Sequence, residues 1–446
     1  MHRRTFLATS LSALAQTPTR RPNIVLLVAD DLGLSLGSYG DRNARTPNLD
    51  QLAREGVRFT NAFATTASCS PSRSTMLTGL YNHTNGQYGL AQGDHNFHLK
   101  AGVTPFARLA KDAGYRTAVI GKFHVNPPGA FDWDVRQEGD AFDVDSMNER
   151  VRKFVGSGNQ APFYLHAGFG DPHRGPDSRF AVDRKTSFDP NEIKVPSFLA
   201  DTPAAREDLA EYYEAVRRLD RGVGLIVETL KAAGQLENTL LVFISDNGMP
   251  FPNAKTNLYD SGIHLPMIAR GPGLPAGKTC AAMTNWADLV PAFLDFAGIA
   301  KAAGLPGRSW RRAAAEENPA GWDRVFLTHT FHGVNMFYPI RGVRTRRYKY
   351  LNNLNPELEF LHATDLANSP AWQGRNPKLP MGRRQLRDYL RRPAEELYDL
   401  DADPDEIVNL AASPGSREIL ETLRQQVLGW RMQTKDPWLG VMDRQR

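Results

Sequence analysis

The stretch from Cys69 to Gly79 holds the most distinctive chemistry in the chain: Cys69-Ser70-Pro71-Ser72-Arg73, running on to Leu77-Thr78-Gly79. Serine is a favoured helix cap and proline suits the first helical position, so Ser70 and Pro71 announce a helix. Cys69 then sits at a helix N-terminus, where free amides and the helix dipole favour an anion. Arg73, one turn in, adds a full positive charge. The plainer reading of the same residues is a buried cysteine at a helix start. A hard cation needs several oxygen ligands, and Asp30-Asp31 and Asp246-Asn247 offer them from two places. Each pair alone is weak, because Asp-Asn-Gly is also a common turn.

The segments leading into these residues suggest how they are brought together. Residues 23–29 form a nearly continuous apolar run without alternation, as suits a strand buried on both faces of a parallel sheet, and the run ends in Asp30-Asp31. The pattern recurs. Residues 115–120 lead into Gly121-Lys122-Phe123-His124, residues 163–167 into Gly170-Asp171-Pro172-His173, and residues 240–244 into Ser245-Asp246-Asn247-Gly248. Four strands each deliver polar side chains at their C-terminal ends, the edge where open α/β sheets build sites. Helices lie between them. One starts at Thr104-Pro105, with Thr as cap and Pro in the first turn. A long one starts at Thr202-Pro203, carries Leu209, Tyr213, Val216, Leu219, Val223, Ile226, Val227 and Leu230 at three-and-four spacing, and stops at Gly234. A shorter one spans 288–297. This alternation implies an α/β domain. After about residue 335 the style changes. Residues 338–343 and 348–351 read as short antiparallel strands around a polar turn, and 417–430 as a closing amphipathic helix. The expected division is a leader over 1–20, a catalytic domain over 21–335 and a smaller α+β subdomain over 336–446.

The Cys69 run resembles the sulfatase signature, C-x-P-S-R followed by L-T-G. In that family the cysteine is oxidised to formylglycine. The resemblance implies an alkaline-phosphatase-like fold, a large mixed, mainly parallel sheet flanked by helices, with a short antiparallel sheet in the C-terminal subdomain. It implies calcium, with magnesium as the alternative, held by Asp30, Asp31, Asp246, Asn247 and the modified Cys69. Gly121-Lys122-Phe123-His124 is similar to the family's G-K-x-H, and Lys255 follows Asp246-Asn247 as the family lysine does. The implied mechanism begins with water adding to the aldehyde at position 69 to give a geminal diol. One hydroxyl, made acidic by the metal, attacks sulfur in line. His173 protonates the leaving group. The second hydroxyl then loses its proton, to His124, and expels sulfate. Arg73, Lys122 and Lys255 offset charge on the sulfuryl oxygens. An ordinary Ser or Cys would be left as a stable ester, whereas the diol offers an exit.

The likeness extends further, to the sulfamidases (N-sulfoglucosamine sulfohydrolases). It is carried by Asn82-His83-Thr84-Asn85-Gly86-Gln87-Tyr88-Gly89-Leu90, Gly170-Asp171-Pro172-His173-Arg174, Ser245-Asp246-Asn247-Gly248-Met249-Pro250-Phe251-Pro252, Tyr338-Pro339-Ile340-Arg341, Glu396-Leu397-Tyr398-Asp399 and Asp436-Pro437-Trp438. It implies cleavage of the N-sulfate of a terminal glucosamine in heparan sulfate or heparin fragments, with His95, His329 and Arg341 as sugar contacts. Lys255 stands where sulfamidases tend to carry Arg. An O-sulfatase on another sulfated glycan or small ester stays open as the alternative. A phosphonate or phosphate monoesterase and a non-catalytic glycan-binding protein are further removed.

Composition bounds the rest. The 446 residues are 41% hydrophobic and 23% charged, ordinary for a soluble globular chain. A net charge of +5 is too mild to identify a partner and does not point to nucleic acid. No apolar run is long enough to cross a bilayer. Two cysteines, Cys69 and Cys280, make no disulfide scaffold, and Cys280 is expected to be an ordinary unpaired residue. Arg3-Arg4-Thr5-Phe6-Leu7, a weakly apolar stretch and Ala13-Leu14-Ala15 resemble a twin-arginine export signal with its cleavage site, which points to the bacterial periplasm or secretion. A formylglycine-generating maturation enzyme is then a required partner. The sequence leaves the oligomeric state open.

Overall fold

The computed structural model describes residues 20–180 and 186–440. The expected export signal lies, but for residue 20, outside the described residues. Twelve strands are assigned among the described residues: β1 Asn23–Ala29, β2 Val57–Phe63, β3 Arg116–Gly121, β4 Val135–Gln137, β5 Phe163–Gly168, β6 Thr239–Ser245, β7 His264–Arg270, β8 Lys278–Asn285, β9 Arg324–Phe331, β10 Phe337–Thr345, β11 Tyr348–Asn353 and β12 Glu395–Asp399. The first eight form one sheet in the order β4-β3-β5-β1-β6-β7-β2-β8. Its pairs are parallel except that β7 runs antiparallel to both β6 and β2. All seven residues of β1 are buried, as its apolar run requires. Val25, Leu27 and Ala29 pack into the core on one face, and Ile24, Leu26 and Val28 into the core on the other.

The larger helices are α1 Pro47–Glu55, α2 Cys69–Thr78, α3 Phe106–Asp112, α4 Val144–Val155, α5 Pro203–Ala232, α6 Leu289–Ala297 and α7 Arg417–Gln433. Helices α1, α4 and α5 cover one face of the sheet, and α2, α3 and α6 the other. Helix α5 starts as its sequence predicts. The Thr202 side chain accepts from Ala205 N, Pro203 takes the first position, and Gly234 follows the end at φ +64°. Two expected starts are displaced. Helix α3 begins at Phe106, with Pro105 as its cap and no side-chain capping bond from Thr104. Helix α2 begins at Cys69, capped by Ser68, so Ser70 and Pro71 lie within its first turn. Proline is tolerated there because the first four N–H groups of a helix have no partner inside it. Ser70 instead accepts from Ala91 N at 3.0 Å.

The second sheet is antiparallel, in the order β12-β11-β10-β9. It recruits β9, on the N-terminal side of residue 336. Helix α7 covers one face through Leu420, Leu423 and Val427, against Val343, Tyr350 and Leu397. The other face joins the first sheet's surroundings, with Leu327, Ile340 and Leu351 packing with Phe63, Tyr259 and Ile263. That shared core sets how residues after 324 meet the end of the first sheet. Both cysteines are free and buried. Among the described residues, no helix is long and apolar enough to cross a membrane.

Candidate active site

Strands β1 and β6 are parallel neighbours, with Ala29 opposite Ser245. The residues just past their ends, Asp30-Asp31 and Asp246-Asn247, therefore emerge side by side. Asp246 N donates to Ala29 O at 3.1 Å. Asp31, at φ +64°, donates its N–H to Asp246 Oδ1 at 3.0 Å and accepts at Oδ1 from Asn247 Nδ2 at 2.6 Å. Helix α2 points Cys69 at this group. Its Sγ lies 3.9 Å from Asp31 Oδ1, and ligand atoms of Asp30, Cys69 and Asp246 lie within 4.8 Å of one another.

Cations surround the acids. Arg73, fully buried, donates from Nε to Asp246 Oδ2 at 2.9 Å and from Nη1 to Lys122 O at 3.0 Å, and its Nη2 lies 3.6 Å from Asp30 Oδ1. Lys122 Nζ pairs with Asp30 Oδ2. Lys122 and His124 leave β3 through a tight passage. Gly121 has φ +80°, and a Cβ there would come within 2.1 Å of Gly168 O. His124 itself has φ +60° and shares a hydrogen bond with Gln92 Oε1. Lys255 Nζ donates to Asp31 Oδ2 and Asp365 Oδ2, both at 2.7 Å, and lies 3.2 Å from His173 Nε2. His173 Nδ1 is 2.5 Å from Arg174 O, so this nitrogen carries the proton and Nε2 is left for the site.

The electrostatics are those of a crowded anionic group. Burial and the charge of Asp30 push the Asp246 carboxyl up to about 8. Burial also works against ionisation of Asp30, but Lys122, His173 and Arg73 outweigh it and hold the carboxyl well below its usual range. Lys255 is held charged despite burial by Asp31 and Asp365. Burial pushes the Cys69 thiol well above its usual value, the opposite of an activated thiolate. The donor set fits a hard cation. Asp30 Oδ1 and Asn247 Oδ1 are buried without a hydrogen-bond partner among the described residues, beside three carboxylates that repel one another.

Cys69, His124, His173 and Lys255 line a cavity of about 220 Å³, with His95 and Asp365 also on its wall. Of the expected sugar contacts, only His95 belongs there, and its Nδ1 accepts from Val334 N at 3.1 Å. The other two expectations need correction. Arg341 is fully buried and committed to Asp436 at 2.9 and 3.1 Å and to His329 O at 2.8 Å. His329 is buried between Thr66 Oγ1, at 3.4 Å, and the Phe360 ring. Neither lines the cavity, because β9 and β10 turn both residues into the interior. Sequence reasoning missed Asp365, Gln92 and His332. His332 lines the cavity and ties the segment after β9 to Ser68 Oγ at 2.9 Å. No motif spacing marks these three.

A buried cysteine at a helix start thus faces acidic oxygens from two parallel strand ends and is flanked by an arginine and two lysines. The chain belongs to the sulfatase family: the family described as Sulfatase matches residues 22–299, and N-sulphoglucosamine sulphohydrolase, C-terminal, matches residues 253–373. It is 37% identical to the human N-sulphoglucosamine sulphohydrolase, over 97% of this chain and 94% of that protein. An ulvan-active sulfatase of Formosa agariphila is 28% identical over 92% of this chain and 80% of its own. In fold, the chain is similar to a structure solved in complex with its substrate D-glucosamine-2-N,6-O-disulfate, with a TM-score of 0.70 at 22% identity over 94% and 99% of the two chains. A phosphonate monoester hydrolase of Agrobacterium radiobacter shares the fold at a TM-score of 0.71 and 21% identity, over 93% of this chain and 96% of that one.

Proposed function

We propose that the protein removes the N-sulfate from the terminal glucosamine of heparan sulfate or heparin fragments, using formylglycine made from Cys69 and a calcium ion. The observation that carries this reading is the 37% identity to the human N-sulphoglucosamine sulphohydrolase over 97% of the chain. The N-sulphoglucosamine sulphohydrolase C-terminal match, residues 253–373, carries the likeness into the second sheet across β9, β10 and β11. The cavity, about 220 Å³, is smaller than the roughly 300–1,000 Å³ typical of drug-sized ligand sites and suits one sugar unit at a chain end.

Asp30, Asp31, Asp246 and Asn247 would hold the ion together with residue 69. When bound, the ion and the hydrated aldehyde supply an acidified oxygen nucleophile and a route by which sulfate can leave. The other residues act on the substrate. Arg73, Lys122 and Lys255 set positive charge around the sulfuryl oxygens in a water-poor site, where it counts for more than in solution. Arg73 also holds Asp246 in place through its Nε. The bond from His173 Nδ1–H to Arg174 O fixes the ring with Nε2 toward the site, and the imidazolium form, carrying a second proton on Nε2, gives that proton to the leaving nitrogen. His124, steadied by Gln92, takes up the proton released as sulfate departs. His95 contacts the sugar. Residues 21–335 carry the chemistry, and Met336, Thr364 and Asp365 of the 336–446 part complete the cavity wall. A twin-arginine signal over 1–20 would take the protein to the periplasm or outside, and a formylglycine-generating enzyme matures it.

Sulfate release from N-sulfoglucosamine and from glucosamine 6-sulfate tests this reading. The N-sulfate should turn over at least about 100-fold faster in kcat/KM, a gap of about 2.7 kcal/mol. Activity confined to the 6-O-ester would overturn it.

A further inference from the structure

A cavity meant for a sulfate should be lined by cations and neutral donors. Yet its wall includes Asp365, the only carboxylate there among the described residues. A carboxylate facing an anionic substrate opposes binding, so its presence calls for a compensating role. Asp365 sits in the four-residue helix Thr364–Ala367, far in sequence from the other charged groups of the site. Ala363 and Leu366 anchor that turn in a small core with Met336. The carboxylate reaches two groups of the reaction. Its Oδ2 is 2.7 Å from Lys255 Nζ and 4.0 Å from His173 Nε2.

Lysine has three N–H donors on a flexible stem and no preferred plane. Here all three have partners: Asp31, Asp365 and His173. Asp31 belongs to the acidic group that suits an ion. Were Asp31 to hold a cation, Asp365 would be the carboxylate left to orient the ammonium. We propose that Asp365 is a positioning residue: it holds the Lys255 ammonium, and beside it His173 Nε2, where the sulfuryl group and the leaving atom meet. This rests on the sulfatase reading of the site but not on nitrogen being the leaving atom.

The test uses the full-length, matured, calcium-loaded enzyme and its Asp365→Asn, Asp365→Glu, Lys255→Ala and Asp365→Asn/Lys255→Ala variants, with N-sulfoglucosamine and 4-nitrophenyl sulfate as substrates. Asp365→Asn should lower kcat by about 30- to 100-fold, approaching the loss of one charge-stabilising donor. KM should stay level or fall, since a charge that repels the substrate is gone. Asp365→Glu should recover part of kcat. The double variant should be no worse than Lys255→Ala alone, because the two residues act as a unit. Where Asp365→Asn melts early, Asp365→Ser replaces it. A kcat within about threefold of the parent, a rise in KM with kcat kept, or losses that multiply in the double variant would each overturn the assignment. A parent enzyme that turns over only the aryl ester sinks the N-sulfate reading and leaves the Asp365 comparison intact on that ester.

Discussion

Two buried groups of charges in this molecule differ in how completely they are matched. Behind the second sheet, Lys349 sits 2.6 Å from both Asp260 and Glu406, and Arg344 lies 3.0 Å from Asp260. Two cations meet two carboxylates at contact distance. Arg341 and Arg431 both close on the one carboxylate of Asp436, at 2.9 and 2.8 Å. At the end of the first sheet, Asp30, Asp31, Asp246 and Asp365 face Arg73, Lys122 and Lys255. There Asp30 Oδ1 comes no nearer than 3.6 Å to Arg73, and Asn247 Oδ1 has no hydrogen-bond partner among the described residues. Formal charge cancels between Lys349, Arg344, Asp260 and Glu406, whereas four aspartates meet three cations at the end of the first sheet. An unmatched buried cluster costs free energy unless something completes it. The contrast separates charges that join the two sheets from an acid-rich group whose donor set fits a hard cation.

The sharpest break between the two groups is Cys69→Ala. Turnover should fall below detection while the melting temperature moves by only a few degrees, because the substitution removes a single sulfur whose hydrogen bond to Asp31 Oδ1 is long, at 3.9 Å. Retained turnover would remove the nucleophile from the proposal. The peptide mass of the same segment should show loss of sulfur and gain of oxygen in a host with the maturation enzyme. Chelation comes next. Stripping the divalent ion should cost at least about 100-fold in activity and lower the melting temperature, since a ligand bound only by the folded state stabilises it. Calcium should restore both, and magnesium restoring them equally well would change the ion assigned.

Arg341→Ala probes the matched group. Removing one partner of a buried pair leaves an uncompensated charge and costs about 3–5 kcal/mol. Denaturant unfolding should show that loss while kcat per folded molecule stays level. A selective rise in KM would instead return Arg341 to the sugar site. The smallest effect per residue is the acid response of His166 and His329, whose burial pushes each imidazole down to about 3. Below about pH 6.5 the unfolded chain takes up protons that the folded chain refuses. Stability therefore falls as pH drops from 6.5 toward 3, by about 2 kcal/mol per histidine at pH 5. Thermal melts at pH 7.5 and pH 5 measure it, and a flat profile would mean these rings are not held neutral.

Much of the gathering of Cys69 with the acidic strand ends was legible in the sequence. The apolar runs of β1 and β6 end in Asp30-Asp31 and Asp246-Asn247, and parallel strands in register bring the residues at their C-terminal ends to one edge. The Cys69 motif is contiguous, so its helix could be anticipated even though the cap moved from Ser70 to Ser68 and the start from Pro71 to Cys69. The sugar wall was not legible in the same way. His95, His329 and Arg341 all lie in segments shared with sulfamidases, yet only the first faces the cavity. Arg341 finds its partner 95 residues away in Asp436, and nothing in Tyr338-Pro339-Ile340-Arg341 announces that.

The sequence by itself determined the kinds of groups and their local setting: a cysteine at a helix start, oxygens at strand ends, and lysines and histidines after glycine-marked turns. Those follow from apolar periodicity and backbone preference over a few residues. Which groups face one another was decided only in three dimensions. Lys255 meets Asp365 across 110 residues, and that meeting depends on how the second sheet packs against the first through Phe63, Tyr259 and Leu351. Side-chain charge is written in the chain, but its counter-charge is chosen by packing.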